Sequence, residues 1–314
     1  MTDPVVFDPA DYRNEIVLGG GDWAVELSAR GVLQTGLWER TYVDQPDIVR
    51  EISSAFLDAG AAVLVTNTDR VNDVALAKSL ESGDIAPEDI SAINRAASAA
   101  FRSAADGFSG PTPSVFGTIG PVEPLMTLNE IKESVLLAAY RTQSEALAAG
   151  GADAIVCRSF TELEALLVAV QGAKEGSGLP VVGSMTFDCG PEYTETTMGV
   201  TVPQACQALT KAGVSMVGCD RGEYPDGTVS IVTLFRASCD LPIWVEINAG
   251  QAELEEERSV YAETPKAYSE RFKPIAEAGA TMIIGGYGAS VEHIVEMARV
   301  RERYLKKAKH RKSS

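Results

Sequence analysis

The chain has 314 residues, 45% of them apolar, and a formal net charge of −17. A surface this acidic repels nucleic acid and anionic lipid, and no uninterrupted apolar run is long enough to cross a bilayer, so nucleic-acid and membrane partners are excluded. The five cysteines are odd in number and form no C-x-x-C pair, which argues against a disulfide framework and makes a reducing cytoplasm the expected location.

Short apolar runs alternate with longer amphipathic segments. Strands are expected near Glu15–Leu18, Ala62–Asn67, Ser114–Gly117, Ala154–Cys157, Val181–Phe187, Ser215–Cys219, Ile243–Ile247 and Thr281–Gly285. Most are continuous β-branched stretches, as parallel strands buried on both faces require. Helical patterns lie between them, over Pro46–Ala59, Glu88–Asp106, Leu128–Ala149, Glu162–Gly172, Pro203–Ala212, Val229–Ala237, Pro265–Glu277 and Val291–Lys307. Several end in glycine just before the next strand, where a left-handed stop is needed. The acidic stretch Ala252–Arg258 is expected to be a loop, and nothing divides the chain into two units. Eight strands alternating with eight helices over 1–314 predict an α/β fold, one (β/α)8 TIM barrel, with an open doubly wound sheet as the alternative. The basic tail from Arg299 to Lys312 is either a solvated helix end suited to the helix dipole or an arm for an acidic partner. The acidic opening Met1-Thr2-Asp3-Pro4 lacks the positive start of a secretory signal.

In such a barrel the functional groups stand just after the strands, at their C-terminal ends. Those positions include Gly20-Gly21-Asp22, Thr66–Arg70, Gly117–Pro121, Cys157-Arg158, Asp188, Cys219-Asp220-Arg221, Glu246 with Asn248, and Gly286-Tyr287-Gly288. Gly19-Gly20-Gly21 and Gly117–Gly120 match neither a dinucleotide fingerprint nor a P-loop. His293 lies in a helix and His310 in the tail, so a Ser-His-Asp triad or a histidine-rich metal site is not expected.

Read in order, these segments resemble the homocysteine S-methyltransferases. The resemblance runs through Gly21, Glu26-Leu27, Arg30-Gly31, Trp38, Ala59-Gly60-Ala61, Thr66-Asn67-Thr68, Gly117-Thr118-Ile119-Gly120-Pro121, Thr186-Phe187 and Asn248-Ala249-Gly250. It is densest over Thr264-Pro265, Ala278-Gly279-Ala280, Ile283-Ile284-Gly285-Gly286 and Glu292-His293-Ile294. It implies the same barrel, and a chemistry in which three cysteines hold a zinc ion that binds the homocysteine thiol and lowers its pKa. The implied ligand positions fall on Arg221, Tyr287 and Gly288. The implied carboxylates that face the substrate ammonium fall on Gly20, with Asp22 nearby, and on Arg158.

Zinc is therefore not expected, and no other cofactor is. Arg158 and Arg221 suggest recognition of a small anionic substrate, since arginine binds carboxylate or phosphate through two bonds; the alternative is an internal ion pair to Asp188, Asp220, Glu223 or Glu246. Asp22, Asp188, Glu246 and Tyr287 are the candidate catalytic groups, and Tyr287 is equally suited to filling the space a zinc would leave. Asn67, Trp38, Cys219 and Asn248 are candidate binding residues, with loop closure, core packing or a small buried thiol as their structural alternatives. The expected function is a zinc-independent enzyme, a methyltransferase-like transferase acting on a small anionic metabolite. A non-catalytic binding barrel and a zinc enzyme with an unrecognised ligand set are the alternatives. A homo-oligomer is left open.

Overall fold

The computed structural model describes residues 8, 16–32, 36–122, 131–220, 225–250, 252–255 and 258–312. Eight parallel strands form one sheet: β1 Val17–Leu18, β2 Val63–Val65, β3 Ser114–Ile119, β4 Ala154–Phe160, β5 Val181–Thr186, β6 Met216–Asp220, β7 Ile243–Ile247 and β8 Met282–Gly285. Their order is β1-β8-β7-β6-β5-β4-β3-β2. A parallel bridge from Gly19 to Val63, with Gly20 N–H on the Val63 carbonyl at 2.9 Å, joins β1 to β2. The ring is thus an α/β barrel with its helices outside, as the alternation of elements predicts.

Apart from the end of β4, the strands alternate, because successive side chains point to opposite faces. Val17, Val63, Val65, Phe116, Ala154, Val156, Val182, Met216, Trp244, Met282 and Ile284 form the apolar interior of the barrel. The intervening residues pack outward against the helices. Towards the C-terminal ends the inward residues turn polar: Val182 gives way to Ser184 and Thr186, Met216 to Asp220, Trp244 to Glu246. The site is built from this polar layer.

Inside the barrel Trp244 lies nearly parallel to Phe116, with ring centroids 5.9 Å apart. It fits because the facing position is glycine: a Cβ on Gly218 would come within 2.7 Å of the Trp244 carbonyl and 2.8 Å of its Cβ.

Helix ends follow the expected chemistry. Thr201 caps Val202–Ala212 by accepting from Gln204 N–H, and Gly213 (φ 74°) closes it. Gly279 (φ 115°) closes the helix before β8. Two segments depart from expectation. Pro265–Glu277 is two helices, Pro265–Glu270 and Phe272–Ala278, because Pro274 has no N–H to give the Glu270 carbonyl and is tolerated only in a first turn. The stretch Ala252–Arg258, expected as a loop, begins an antiparallel hairpin, Ala252–Glu255 with Arg258–Tyr261. The last helix continues to Lys312, and Arg301 docks it by donating to the Ile16 carbonyl at 2.6 Å. Among the described residues no helix is long and apolar enough to cross a membrane.

Replacing Gly218 by alanine forces Trp244 to shift in a filled interior. It is expected to cost about 1–3 kcal/mol, the usual range for overpacking, and to lower the thermal midpoint by several degrees. Urea and thermal unfolding of Gly218→Ala against the parent check this.

Candidate functional site

The mouth of the barrel centres on Arg158. Its strand, β4, loses register with β5 between Cys157 and Phe160, and Ser159 takes φ 66°. A non-glycine residue there costs about 1–3 kcal/mol and persists only when its surroundings hold it. Asp220, the inward residue at the end of β6, supplies that hold. It accepts from Ser159 N–H at 2.6 Å, Ser184 Oγ at 3.1 Å and Thr186 Oγ1 at 2.7 Å. The irregularity aims the Arg158 guanidinium across the mouth.

Three residues receive it. Nε and Nη2 donate to the two oxygens of Asp69, each at 2.8 Å, in a bidentate pair. Nη1 donates to Glu246 Oε2 at 2.9 Å, and Nη2 also reaches Asn67 Oδ1 at 3.1 Å. Asn67 and Asp69 are held in place by the threonines between and before them. Thr118 N–H donates to Thr66 Oγ1, Thr118 Oγ1 to the Thr66 carbonyl, and Thr68 Oγ1 to the Thr118 carbonyl, all within 2.9 Å. The Asn67 N–H donates to the Tyr42 hydroxyl.

The Arg158 and Glu246 side chains are 11% and 5% exposed, so their pairing is screened little by water. Burial pushes the Glu246 carboxyl up to about 7; the Arg158 charge opposes that rise, and Asp220 and Asp69 add to it. Asp22 is also raised, chiefly by burial, against the pull of the Gly288, Ala24 and Val25 N–H groups and of Arg158.

A second device closes the mouth between β1 and β8. Asp22 caps the helix Trp23–Ala29 through Ala24 N–H, and its other oxygen accepts from Gly288 N–H, each at 2.8 Å. The glycines let the two loops touch: a Cβ on Gly21 would lie 2.0 Å from the Ala289 carbonyl oxygen. Gly288 has φ 79°, and a Cβ there would fall 2.3 Å from Tyr261. Tyr287 lies nearly parallel to Tyr261, centroids 6.5 Å apart, and its N–H donates to Asn248 Oδ1 at 3.0 Å. Asn248 therefore ties the loop after β7 to the loop after β8.

A narrow recess, open to solvent, lies between these groups. Asp22, Trp23, Asn67, Arg158, Glu246 and Tyr287 line it, with the backbone of Gly21, Gly285 and Gly286. The structure thus gathers Asp22, Asn67, Arg158, Glu246 and Tyr287 from the sequence candidates. Asn248 stands behind Tyr287, holding its N–H, and Cys219, Asp188 and Trp38 stand elsewhere. Cys219 packs in the outer layer with Cys157, Val217 and Val245, because Asp220 takes the inward phase of β6. Asp188 is half-buried beside Cys189 and does not line the recess. Trp38 packs on Tyr42, while Trp23 supplies the aromatic wall. Arg221 lies outside the described residues.

The partners of Arg158 include Asp69, which sequence reasoning passed over in favour of Asp188, Asp220, Glu223 or Glu246. Strand alternation offered a signal for Asp220, two residues beyond Gly218 and four beyond Met216. Asp69 and Trp23 had none beyond their place after a strand.

Removing the guanidinium leaves two carboxylates facing each other in a poorly hydrated mouth. Arg158→Met is expected to cost about 3–5 kcal/mol at pH 8, as broken buried pairs do. The loss is expected to be smaller at pH 5, where Glu246 is protonated; chemical denaturation at the two pH values checks it. In the parent, Glu246 has a folded pKa of about 7 against its usual 4.5, so the folded state binds more protons between these values. Its contribution to unfolding free energy therefore falls as pH rises from 4.5 through 7 and levels off above. Glu246→Gln should flatten that part of the pH–stability curve; an unchanged slope refutes the assignment.

The sequence pattern of the family described as homocysteine S-methyltransferase matches residues 16–301. Betaine–homocysteine S-methyltransferase 1 of Sus scrofa is 30% identical over 223 residues, 70% of this chain and 75% of that protein. The methionine synthase of Mycobacterium tuberculosis is 28% identical over 263 residues, 81% of this chain. The chain spans only 21% of that relative's length. The homocysteine methyltransferase MmuM from Escherichia coli, in its metallated form, shares the fold with a TM-score of 0.75 at 19% identity, over 93% of this chain and 99% of that one. With a barrel whose strand ends carry the matched segments, the chain belongs to the homocysteine S-methyltransferase family.

Proposed function

We propose that this member of the family is a zinc-independent transferase acting on a small anionic metabolite, bound in the recess against Arg158. The observation that carries the reading is the guanidinium itself. It lines the recess at the position where the resemblance implies a carboxylate facing a substrate ammonium group. The chemistry of the described side chains at two of the implied ligand positions supports the zinc-independent reading. Gly288 has no donor and no room for one, since Tyr261 occupies the space a Cβ would take. Tyr287 offers a phenol in place of a thiolate, and the Cys219 thiol faces outward. Asp69 and Glu246 are already committed to Arg158. Among the described residues no three histidine, cysteine or acidic side chains cluster in a metal-holding arrangement.

The chemistry of the recess rests on Glu246. Its carboxylate competes with any incoming anion for Arg158 Nη1, and its pKa near 7 lets it step aside by taking up a proton. Asp69 keeps its bidentate hold on the other edge, so the guanidinium stays oriented while its recess-facing edge changes partner. The charge of the site is then unaltered on binding, because one anion replaces another. The protonated Glu246 is left beside the ligand, where it serves as the group that gives up or regains a proton during transfer. Tyr287 and Trp23 cover the ligand and restrict water.

A second reading, a binding barrel without catalysis, is favoured by one observation: Arg158 is fully neutralised by its own carboxylates before any ligand arrives.

Three measurements decide among these. Zinc titration calorimetry and metal analysis of the purified protein are expected to find no stoichiometric zinc; tight equimolar zinc overturns the metal-free reading and restores a zinc enzyme with another ligand set. Calorimetry with small carboxylic acids and inorganic phosphate, in two buffers of different ionisation enthalpy, is expected to show anion binding with uptake of a proton near neutral pH. Arg158→Lys should weaken that binding about tenfold, or 1.4 kcal/mol, because an ammonium cannot hold Asp69 and a ligand in the same plane. Binding of amines but not of anions refutes the substrate class. Methyl transfer from sulfonium or quaternary-ammonium donors to the bound anion separates an enzyme from a binding barrel.

A further inference from the structure

Three buried amide side chains hold the loop that carries Asp69. Gln143 lies on the helix Glu133–Ala149, Asn94 on the helix Pro87–Asp106, and Asn72 at the far end of the loop. Gln143 Nε2 donates to the Thr68 carbonyl at 2.6 Å, and Gln143 Oε1 accepts from Asn72 Nδ2 at 3.2 Å. Asn94 Nδ2 donates to the Val71 carbonyl at 2.7 Å. On the reading of the recess as an anion site, we infer that Gln143 is a positioning residue: through the Thr68 carbonyl it fixes Asp69 on one edge of Arg158, so that an incoming anion displaces Glu246 and not Asp69.

Gln143, Asn94 and Asn72 are 1%, 0% and 1% exposed. Leucine or methionine would fill such space at no polar cost, whereas a buried amide is tolerated only when it is paired. What the amides add is direction, because they bind backbone carbonyls on both sides of Asp69. The barrel holds the other side of the loop. Thr68 N–H donates to Thr118 Oγ1 at 3.1 Å, and Gly120 N–H donates to the Asp69 carbonyl at 2.9 Å. A Cβ on Gly120 would lie 2.9 Å from the Asp69 Cβ. The two peptide units that flank the Asp69 Cα are therefore clamped, one by Gln143 and one by Gly120.

With its backbone fixed, an aspartate keeps only two side-chain torsions, and the bidentate pair with Arg158 sets both. Glu246 has a third torsion, and among the described residues its carboxylate accepts from Arg158 Nη1 alone. It can leave the guanidinium without any movement of β7. The charged groups that face it are Arg158, Asp220 and Asp69. Once parted from Arg158 it stands beside two carboxylates and takes up a proton. Asp69 is the more exposed of the pair, 19% against 5%, so a loosened Asp69 would swing towards water and leave as a carboxylate. Gln143 thereby couples anion binding to proton uptake.

Gln143→Met keeps the side-chain length and removes both hydrogen bonds. The full chain with isotope-labelled arginine reports first, without any ligand. The Arg158 Nε–H resonance, identified by its loss in Arg158→Lys, is expected to be protected from solvent exchange in the parent and to exchange about tenfold faster in Gln143→Met. Phe272→Leu, in the outer layer against Tyr304, lowers stability away from the loop and should leave the resonance protected. Gln143→Glu stays neutral when buried and can both donate and accept, so it should restore protection at pH 6. Asn94→Leu replaces Gln143→Met if that variant does not fold.

Acetate, whose charge is constant above pH 6, then probes binding by calorimetry between pH 7 and pH 9. Its affinity for the parent is expected to fall about tenfold per pH unit, as one linked proton requires, and its affinity for Gln143→Met to fall less than about threefold. A parent that binds no acetate, or binds it without a pH slope, refutes the anion-site reading and the order of displacement with it. A parent that binds with the expected slope, beside a Gln143→Met that keeps either that slope or the protected resonance, leaves the anion site standing and overturns the role of Gln143.

Discussion

A guanidinium buried among carboxylates cannot be left half-paired, and that constraint organises the top of this barrel. Arg158 draws on Asp69 and Asn67 from the loop after β2 and on Glu246 from β7. Partners from two distant strands must be brought to within hydrogen-bond distance, because an orphaned buried charge costs several kcal/mol. The threonines that lock the end of β2 to β3, and Asp220 holding Ser159 in its left-handed turn, serve that delivery. Such a network adds little stability beyond that of an apolar core of equal volume. What it fixes is the position of a cation in a recess.

The β1–β8 side of the mouth is organised by contact rather than by charge. Glycine at positions 21 and 285 allows two backbones to meet where side chains would collide. Asp22 then joins them by capping one helix and accepting from Gly288. Beyond it Gly288 packs against Tyr261, whose ring occupies the place a Cβ would take. Tyr261 and Tyr287 lie against each other beside this closure.

A proton affinity near neutrality and a structural cost coincide at Glu246. Burial that makes its carboxylate unwelcome is also what brings its proton affinity close to neutrality. Arg158 keeps this in check, so the group stays titratable instead of becoming permanently neutral. A carboxyl placed in that way exchanges a proton with a ligand at little energetic expense.

The sequence by itself determined the barrel, because strand and helix periodicities are local and their alternation leaves few ways to bury both faces of every strand. It also determined which short stretches meet at the mouth, through the rule that strand C-termini face the same way. Local patterns were enough to mark Asp22, Asn67, Arg158, Glu246 and Tyr287 for attention. Tertiary structure decided what those residues do. Whether Arg158 is free or paired depends on Asp69, 89 residues away in the chain, and no spacing rule reports such a contact. The inward phase of β6, which turns Cys219 to the outer layer and Asp220 to the centre, depends on the register of the neighbouring strands. The hairpin after β7 and the helix broken at Pro274 were likewise settled by pairing and packing around them. Contacts between residues distant in sequence are set by how the whole chain closes, and that closure is a property of the ring, not of any of its segments.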